Sequence, residues 1–167
     1  MAQEATVGFE EAFGDLYKLA YRVAFRLLGE RADAEDAAQE TLARAHLHWG
    51  RLDAHPEGWV VRVVTNFSID RIRRRHRALA PAGEALMLVD VHLAERIDLA
   101  RALRHLSRRQ REVVVLRYLA DWSELDVADA LGCSPGSVKV HASRGLAALR
   151  HELGGTSMEG DDVRASG

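Results

Sequence analysis

Residues 123–150 have the sequence SELDVADALGCSPGSVKVHASRGLAALR, in which two helical patterns flank a short turn. Ala128, Gly132 and Val138 stand at the spacing of a helix-turn-helix. A small residue lets two helices approach, glycine permits a left-handed turn, and an apolar residue on the second helix fixes it against the first. The segment therefore predicts a second helix whose polar face fits the major groove of DNA. An ordinary helical hairpin with a polar face is the alternative.

Capping residues indicate where three helices begin: one before the helix-turn-helix and one on each side of its turn. Ser107 and Ser123 each begin a capping-box pattern, with Gln or Asp three residues later. Ser134 followed by Pro135 places an N-cap before a first-turn proline. These signals predict three consecutive helices, of which the last runs to about Leu153.

The N-terminal half also has helical periodicity, with apolar residues at three- and four-residue steps. Gly29 ends the first stripe, Asp33 is predicted to cap the second helix, and Pro56 suits the first turn of a third that runs toward Arg77. We therefore expect an all-α fold of two small helical domains. The expected boundaries are residues 1–78 and 97–153 for the domains, 79–96 for a flexible linker, and 154–167 for a disordered tail.

Charge is unevenly distributed along the 167 residues, although the formal net charge is only −2. Residues 30–40 hold five acids against one arginine, and residues 62–77 hold six arginines against one aspartate. Separate acidic and basic surfaces predict at least two different partners. A basic track beside Trp59 and Asn66 suits unstacked bases of a single nucleic-acid strand; the alternative is a solvated helix end whose cations complement the helix dipole.

Composition excludes several classes of protein. A single cysteine, Cys133, rules out an intrachain disulfide and favours a reducing cytoplasm. No apolar run approaches the ~18 residues that span a bilayer, and no signal-peptide pattern opens the chain. We therefore expect a cytoplasmic protein that does not bind a membrane.

Catalytic chemistry finds little support in the residues. His46 and His48 lie two positions apart, so a helix points them about 200° apart, which is unsuited to one metal ion. The chain has no HExxH motif and no GxxxxGK[ST] phosphate loop. Cys133 is expected to be a structural thiol. These features disfavour an enzyme, and we expect no catalytic residue, no metal, no cofactor and no small-molecule substrate.

Two stretches together resemble a known family. DAEDAAQE at 33–40, followed by GWVVRVVTNFSIDRIRRR at 58–75, resembles region 2 of extracytoplasmic-function (ECF) sigma factors in the sigma-70 family. LRHLSRRQREVVVLRY at 103–118, followed by GCSPGSVKVHASR at 132–144, resembles region 4. The resemblance extends over about residues 10–153 and is strongest to an actinobacterial branch.

The resemblance implies a dissociable promoter-specificity subunit of bacterial RNA polymerase. Region 2 would bind the clamp coiled coil of the largest polymerase subunit, and region 4 would lie on the β flap. It also implies that an anti-sigma factor can hold the protein inactive. The residues expected to bind the core polymerase are on the acidic helix: Asp33, Glu35, Asp36, Gln39 and Glu40.

Promoter contacts follow from the same resemblance. The −10 element is expected to meet the loop before the third helix and that helix itself, through Arg51, Leu52, Asp53, His55, Arg62, Asn66 and Arg73. The −35 element is expected to meet the last helix and one arginine before it, through Ser134, Ser137, Lys139, Val140, His141, Ser143, Arg144 and Arg117. Trp59 is expected to belong mainly to the core.

Two other classes of function remain open at this point. A helix-turn-helix regulator acting without core polymerase would need a sensor domain or a dimer seam, and the N-terminal half has neither a βα alternation nor a sustained heptad. A helical enzyme or metal protein is disfavoured by the missing ligand spacing. Promoter binding with and without core polymerase separates the three.

Overall fold

The computed structural model describes residues 8–52, 55–79 and 91–156, and within those ranges the chain forms helices and no strand. The expected all-α fold is therefore confirmed. The helices are α1 (Phe9–Leu28), α2 (Arg31–His48), α3 (Pro56–Leu79), α4 (Val91–His105), α5 (Arg108–Val114), α6 (Glu124–Ala130) and α7 (Pro135–Thr156). A 3-10 turn, Trp49–Arg51, follows α2, and a π-helical turn, Val115–Leu119, continues α5.

Helices α1, α2 and α3 form a bundle in which α2 packs closely through small residues. Ala34, Ala37, Ala38 and Ala45 of α2 are all fully buried. Alanine at these positions lets the α2 backbone approach α1, while large residues such as Leu27 fill the remaining space. Because its buried face is made of alanine, α2 directs its longer, charged side chains away from the core.

Helices α4 to α7 form a second unit that contains the helix-turn-helix. Leu103, Leu116, Val127 and Val138 are buried in it. Helix α7 lies so close to α5 that a Cβ atom added at Gly145 would be 2.7 Å from Cγ2 of Val114. Gly145 is therefore what allows α7 to pack at this distance and to present its opposite face to solvent.

Most of the helix boundaries predicted from local sequence signals are confirmed. Gly29 ends α1 in the left-handed conformation, with φ of 72°. Ser107 and Ser123 both make complete capping boxes. Ser134 Oγ accepts a hydrogen bond from the backbone N–H of Ser137 at 3.1 Å, and α7 begins at Pro135 as expected.

Other boundaries differ from the prediction. Asp33 does not cap α2, which begins at Arg31 after Glu30; the Asp33 carboxylate instead pairs with Arg71 and Arg75 of α3. Helix α4 begins at Val91, inside the segment expected to be a linker. Helix α7 runs to Thr156, so the first three residues of the expected tail are helical. Residues 80–90 and 157–167 lie outside the described residues.

The two helical units pack against each other. Arg22 Nη1 on α1 donates to the carbonyl of Ala120 at 2.7 Å, and Arg26 Nη2 lies 3.0 Å from Oδ2 of Asp121. Asp121 has φ of 59°, so its backbone adopts the left-handed turn that brings these groups to α1. The buried side chains of the two units form one continuous apolar cluster. Nothing in the sequence pattern predicts that the two helical units pack together.

Candidate nucleic-acid interface

The exposed face of α7 carries most of the residues expected to read DNA. Lys139, Val140, Ser143 and Arg144 are exposed, and Val140 has 46% of its surface accessible. Ser137 and His141 are half-buried beside them. The exposed set combines cationic, hydroxyl and apolar groups within about two turns of one helix, which is the chemistry of major-groove readout.

Two of the residues expected to contact the −35 element, Ser134 and Lys139, also make contacts within the helix-turn-helix. The Ser134 hydroxyl caps α7, and its oxygen lies 2.9 Å from Oγ of Ser137. Lys139 Nζ lies 3.6 Å from Oε1 of Glu124 on α6. Glu124 therefore holds the Lys139 ammonium near the first helix of the helix-turn-helix, at the edge of the reading face.

Arg117 is placed differently from the other predicted DNA residues. It is half-buried, its Nη1 donates to the carbonyl of Trp122, and its guanidinium lies 6.0 Å from the centroid of the Tyr118 ring. These contacts hold the turn between the π-helical segment and α6. The arginine is thus part of the support for the helix-turn-helix.

Residues 132–136, GCSPG, match the G-x-S-x-G pattern of a hydrolase nucleophile. That pattern supplies a nucleophile only on a sharp turn between a strand and a helix. Here the segment joins α6 to α7, and Ser134 is an exposed N-cap. The sequence match therefore does not indicate a hydrolase nucleophile.

The acidic residues of α2 form a solvent-facing strip with arginine partners. Glu35 pairs with Arg31 at 3.0 Å, and Glu40 pairs with Arg44 at 2.7 Å. The hydrogen bond from Arg31 to Glu35 raises the pKa of that guanidinium. Asp33 is held by α3, whereas Asp36 keeps 64% of its side chain accessible although it lies 3.5 Å from Arg71. Gln39 is exposed beside it.

A groove of about 440 Å³ brings together part of the predicted −10 set. Arg51, Leu52, His55 and Arg62 line it with Trp59, opposite Arg108 and Arg109 of α5. Trp59 is half-buried, and its ring centroid lies 6.0 Å from that of His48, so it belongs partly to the groove and partly to the core. Asn66 and Arg73 lie outside this groove, and Asp53 lies outside the described residues.

Helix α5 contacts the part of α3 that carries Arg62 and Asn66. Arg111 Nη1 donates to Oδ1 of Asn66 at 2.9 Å, and Arg62 Nη1 lies 4.0 Å from Oε1 of Glu112. Burial lowers the pKa of Arg62 and the charge of Arg108 lowers it further, while Glu112 opposes both effects. Arginine remains protonated in proteins, so Arg62 keeps its positive charge.

Glu112 is the centre of this contact and was missed by the sequence analysis. Only 3% of its surface is accessible, and its two oxygens meet Arg108 at 2.9 Å and Arg109 at 3.2 Å. Burial likewise lowers the pKa of Arg111, with a further lowering from Arg104 and an opposing effect of Glu112. The signal was available, because Glu112 is the one acid within the arginine-rich stretch at 104–117.

Comparison with known proteins matches both helical units to family models. Residues 2–78 match sigma-70 region 2, and residues 96–149 match sigma-70, region 4. The ECF RNA polymerase sigma factor SigM of Mycobacterium tuberculosis is 34% identical over 156 residues, which cover 88% of this chain and 80% of SigM. The chain belongs to the ECF sigma factors.

A second relative agrees with this assignment. The ECF RNA polymerase sigma factor SigW of Bacillus subtilis is 28% identical over 170 residues, covering 87% of this sigma factor and 91% of SigW. A solved structure of CnrH in complex with the cytosolic domain of CnrY is 28% identical and covers 91% of this chain and 94% of that chain, with a TM-score of 0.49.

Two further features of the described residues bear on the site. None of their helices is long and apolar enough to cross a membrane. Among the same residues, no group of three or more His, Cys, Asp or Glu side chains is arranged to hold a metal ion.

Proposed function

We propose that this ECF sigma factor binds core RNA polymerase and directs it to promoters whose −10 and −35 elements it recognises. The observation that carries the proposal is the exposed face of α7, in a helix-turn-helix within the region 4 match. The polymerase supplies the chemistry, so we propose that the sigma factor itself is not an enzyme and that it acts in the cytoplasm. An anti-sigma partner stays a prediction.

Recognition of the −35 element is assigned to Lys139, Val140, Ser143 and Arg144. Their exposure on one side of α7 supports this role. Arg144 can make a bidentate contact to guanine, and Val140 can contact only an apolar group such as a thymine methyl. Ser137 and His141, half-buried at the edge, suit phosphate contacts that set the register of α7.

Recognition of the −10 element is assigned to the groove before and along α3. Arg51, His55 and Arg62 supply cationic or polar groups for the strand, and Trp59 offers a partly exposed ring on which a base can stack. Asn66 is exposed, and its amide can hydrogen-bond to a base edge. Arg73, further along α3, suits a phosphate.

Docking on core polymerase is assigned to the acidic strip of α2. Asp36 and Gln39 are its exposed members, and Glu35 and Glu40 flank them with their charges partly neutralised by Arg31 and Arg44. The alanine-lined opposite face fixes the orientation of the strip. A rigid acidic helix face suits a basic protein surface.

The proposed function requires the two helical units to separate. Promoter elements roughly 16–18 base pairs apart are separated by about 55–60 Å at ~3.4 Å per step. In this structure α5 of the second unit packs directly on α3 of the first, so the two units are in contact. The chain from Leu79 to Val91 can extend to about 40–43 Å. The units themselves would cover the rest of the distance.

Transcription in vitro tests the proposal. Core polymerase with the purified chain is given a promoter library randomised at both elements, and transcripts are sequenced. We expect enriched motifs at both positions and none with core polymerase alone. Transcripts without enriched motifs would refute promoter recognition.

A further inference from the structure

A groove of about 600 Å³ between α3 and α4 is lined almost entirely by basic side chains. Apart from Arg73, none of its residues has a place in the proposed function. Ile72 and Ile97 supply its apolar surface. The basic residues that line it are Arg73, His76 and Arg77 of α3 and Arg101, Arg104 and His105 of α4.

The positive charge in this groove is only partly neutralised. Among the residues that the structure describes, its lining includes no carboxylate. Asp70 is shared by two arginines: its Oδ1 lies 3.9 Å from Nη1 of Arg73 and 4.0 Å from Nη1 of Arg104. Both distances are longer than a hydrogen bond. Arg101 lies 3.5 Å from Asp98 on its own helix. Within the described parts of the chain, Arg77 makes no ion pair.

Helix dipoles explain only part of this arrangement. Cations are favoured in the last turn of a helix. This preference accounts for His76 and Arg77 of α3 and for Arg104 and His105 of α4. Arg73 and Arg101 lie further back along their helices and still line the same groove. Asp70 lies between Arg73 and Arg104, but among the described residues no carboxylate lines the groove between Arg77 of α3 and Arg101 of α4, and such guanidinium groups repel one another.

We propose that the groove between α3 and α4 binds a ligand that carries adjacent phosphate groups, such as a nucleoside triphosphate or inorganic polyphosphate. Guanidinium groups bind phosphate oxygens in a bidentate manner, and several converging arginines favour several linked phosphates over one. The groove volume falls within the ~300–1,000 Å³ of small-molecule sites. A DNA duplex is too wide to enter the space between two packed helices and would touch only the rim.

The ligand would also favour the packed arrangement of the sigma factor. Its site takes residues from α3 in the region 2 unit and from α4 in the region 4 unit. A ligand that needs both helices binds only while they are packed, so by linkage it stabilises that arrangement. This second step rests on the proposed function, because it predicts competition with binding to core polymerase.

Calorimetric titration of the full-length protein with inorganic tripolyphosphate, ATP and orthophosphate tests the site. We expect one saturable site that binds tripolyphosphate at least tenfold more tightly than orthophosphate. ATP binding more tightly than tripolyphosphate would identify a nucleotide, because Ile72 and Ile97 can contact a base; equal binding would identify the phosphates alone as the recognised group. Either result supports the proposal.

Matched variants locate the site. Arg77→Ala combined with Arg101→Ala should weaken tripolyphosphate binding at least tenfold. Arg74→Ala combined with Arg150→Ala removes the same charge from exposed positions outside the groove and should change binding less than twofold. Circular dichroism verifies that both variants are folded.

Two results would overturn the proposal: no saturable binding of tripolyphosphate, or equal weakening in both double variants. Neither polymerase nor promoter is present in the titration. Its failure therefore leaves the proposed function untouched, and failure of promoter-specific transcription leaves the titration result standing.

Discussion

Arg111 on α5 donates a hydrogen bond from Nη1 to Oδ1 of Asn66 on α3, at a distance of 2.9 Å. The same guanidinium donates from Nη2 to the carbonyl of Leu106 at 3.2 Å, which fixes its position at the end of α4. The amide that we assign to a −10 base is therefore also bonded to region 4. For the Asn66 oxygen, packing of the two units competes with reading of the promoter.

A double-mutant cycle measures this contact. Asn66→Ala and Arg111→Ala should each lower the free energy of unfolding in urea, and the combined loss should be smaller than their sum by ~0.5–1.5 kcal/mol, the net value of one hydrogen bond. Asn66→Ala with Arg150→Ala is the control pair, and their effects should add within ~0.5 kcal/mol. Additive effects for Asn66 and Arg111 would show that the contact is absent in solution.

Two glycines of α7 should respond to alanine with opposite signs. A Cβ at Gly145 would lie 2.7 Å from Cγ2 of buried Val114, so Gly145→Ala should destabilise the protein by ~1–3 kcal/mol. Gly154 has no atom within 4 Å of such a Cβ, and Gly154→Ala should stabilise by up to ~1 kcal/mol through helix propensity. The midpoint of urea unfolding measures both. A stabilising Gly145→Ala would mean that α7 and α5 are further apart.

The acidic strip should determine affinity for core polymerase. Asp36→Lys with Glu40→Lys should reduce that affinity at least tenfold, because two attractive charges become repulsive. Glu10→Lys with Glu11→Lys makes the same charge change on exposed positions of α1 and is the control. The difference between the variants should shrink as salt rises, since exposed charges are screened beyond ~8–10 Å. Equal core binding by both variants would exclude α2 as the docking face.

Arg144 should determine one position of the −35 preference. Arg144→Ala in the holoenzyme should relax selection at a single base pair, with a loss of ~1–3 kcal/mol of discrimination. Arg150→Ala, two turns further along α7 and also exposed, should leave the selected motif unchanged. Selection from a randomised −35 library measures both. An unchanged motif for Arg144→Ala would contradict the assigned reading face.

Local signals predicted the helices well, and contacts between distant residues were not predictable. Gly29, Ser107, Ser123 and Pro135 mark helix ends through geometry that involves only neighbouring residues. Asp33 was misassigned as a cap because its partners on α3 are 38 and 42 positions away in the sequence. A partner at that distance leaves no periodic trace in a single sequence.

The candidate site likewise has some features that the sequence predicts and others that it does not. The exposed face of α7 follows from helical periodicity once Pro135 fixes its start. The hydrogen bond from Arg111 of α5 to Asn66 does not follow from the sequence, because it depends on how two separately patterned units pack. Glu112 was recognisable only as an acid isolated among arginines, which indicates a buried ion pair without naming its partners.

Binding of the full-length chain to promoter DNA, measured with and without core polymerase, tests the central claim most directly. A labelled duplex that carries the selected −10 and −35 motifs is compared with a scrambled duplex of equal length. We expect the chain alone to bind both duplexes equally and weakly, since Asn66 is bonded to Arg111 of α5 and Arg62 is half-buried beside Glu112, and the complex with core to prefer the promoter at least 100-fold. Strong promoter-specific binding by the chain alone, unchanged when core polymerase is added, would contradict a sigma-factor mechanism.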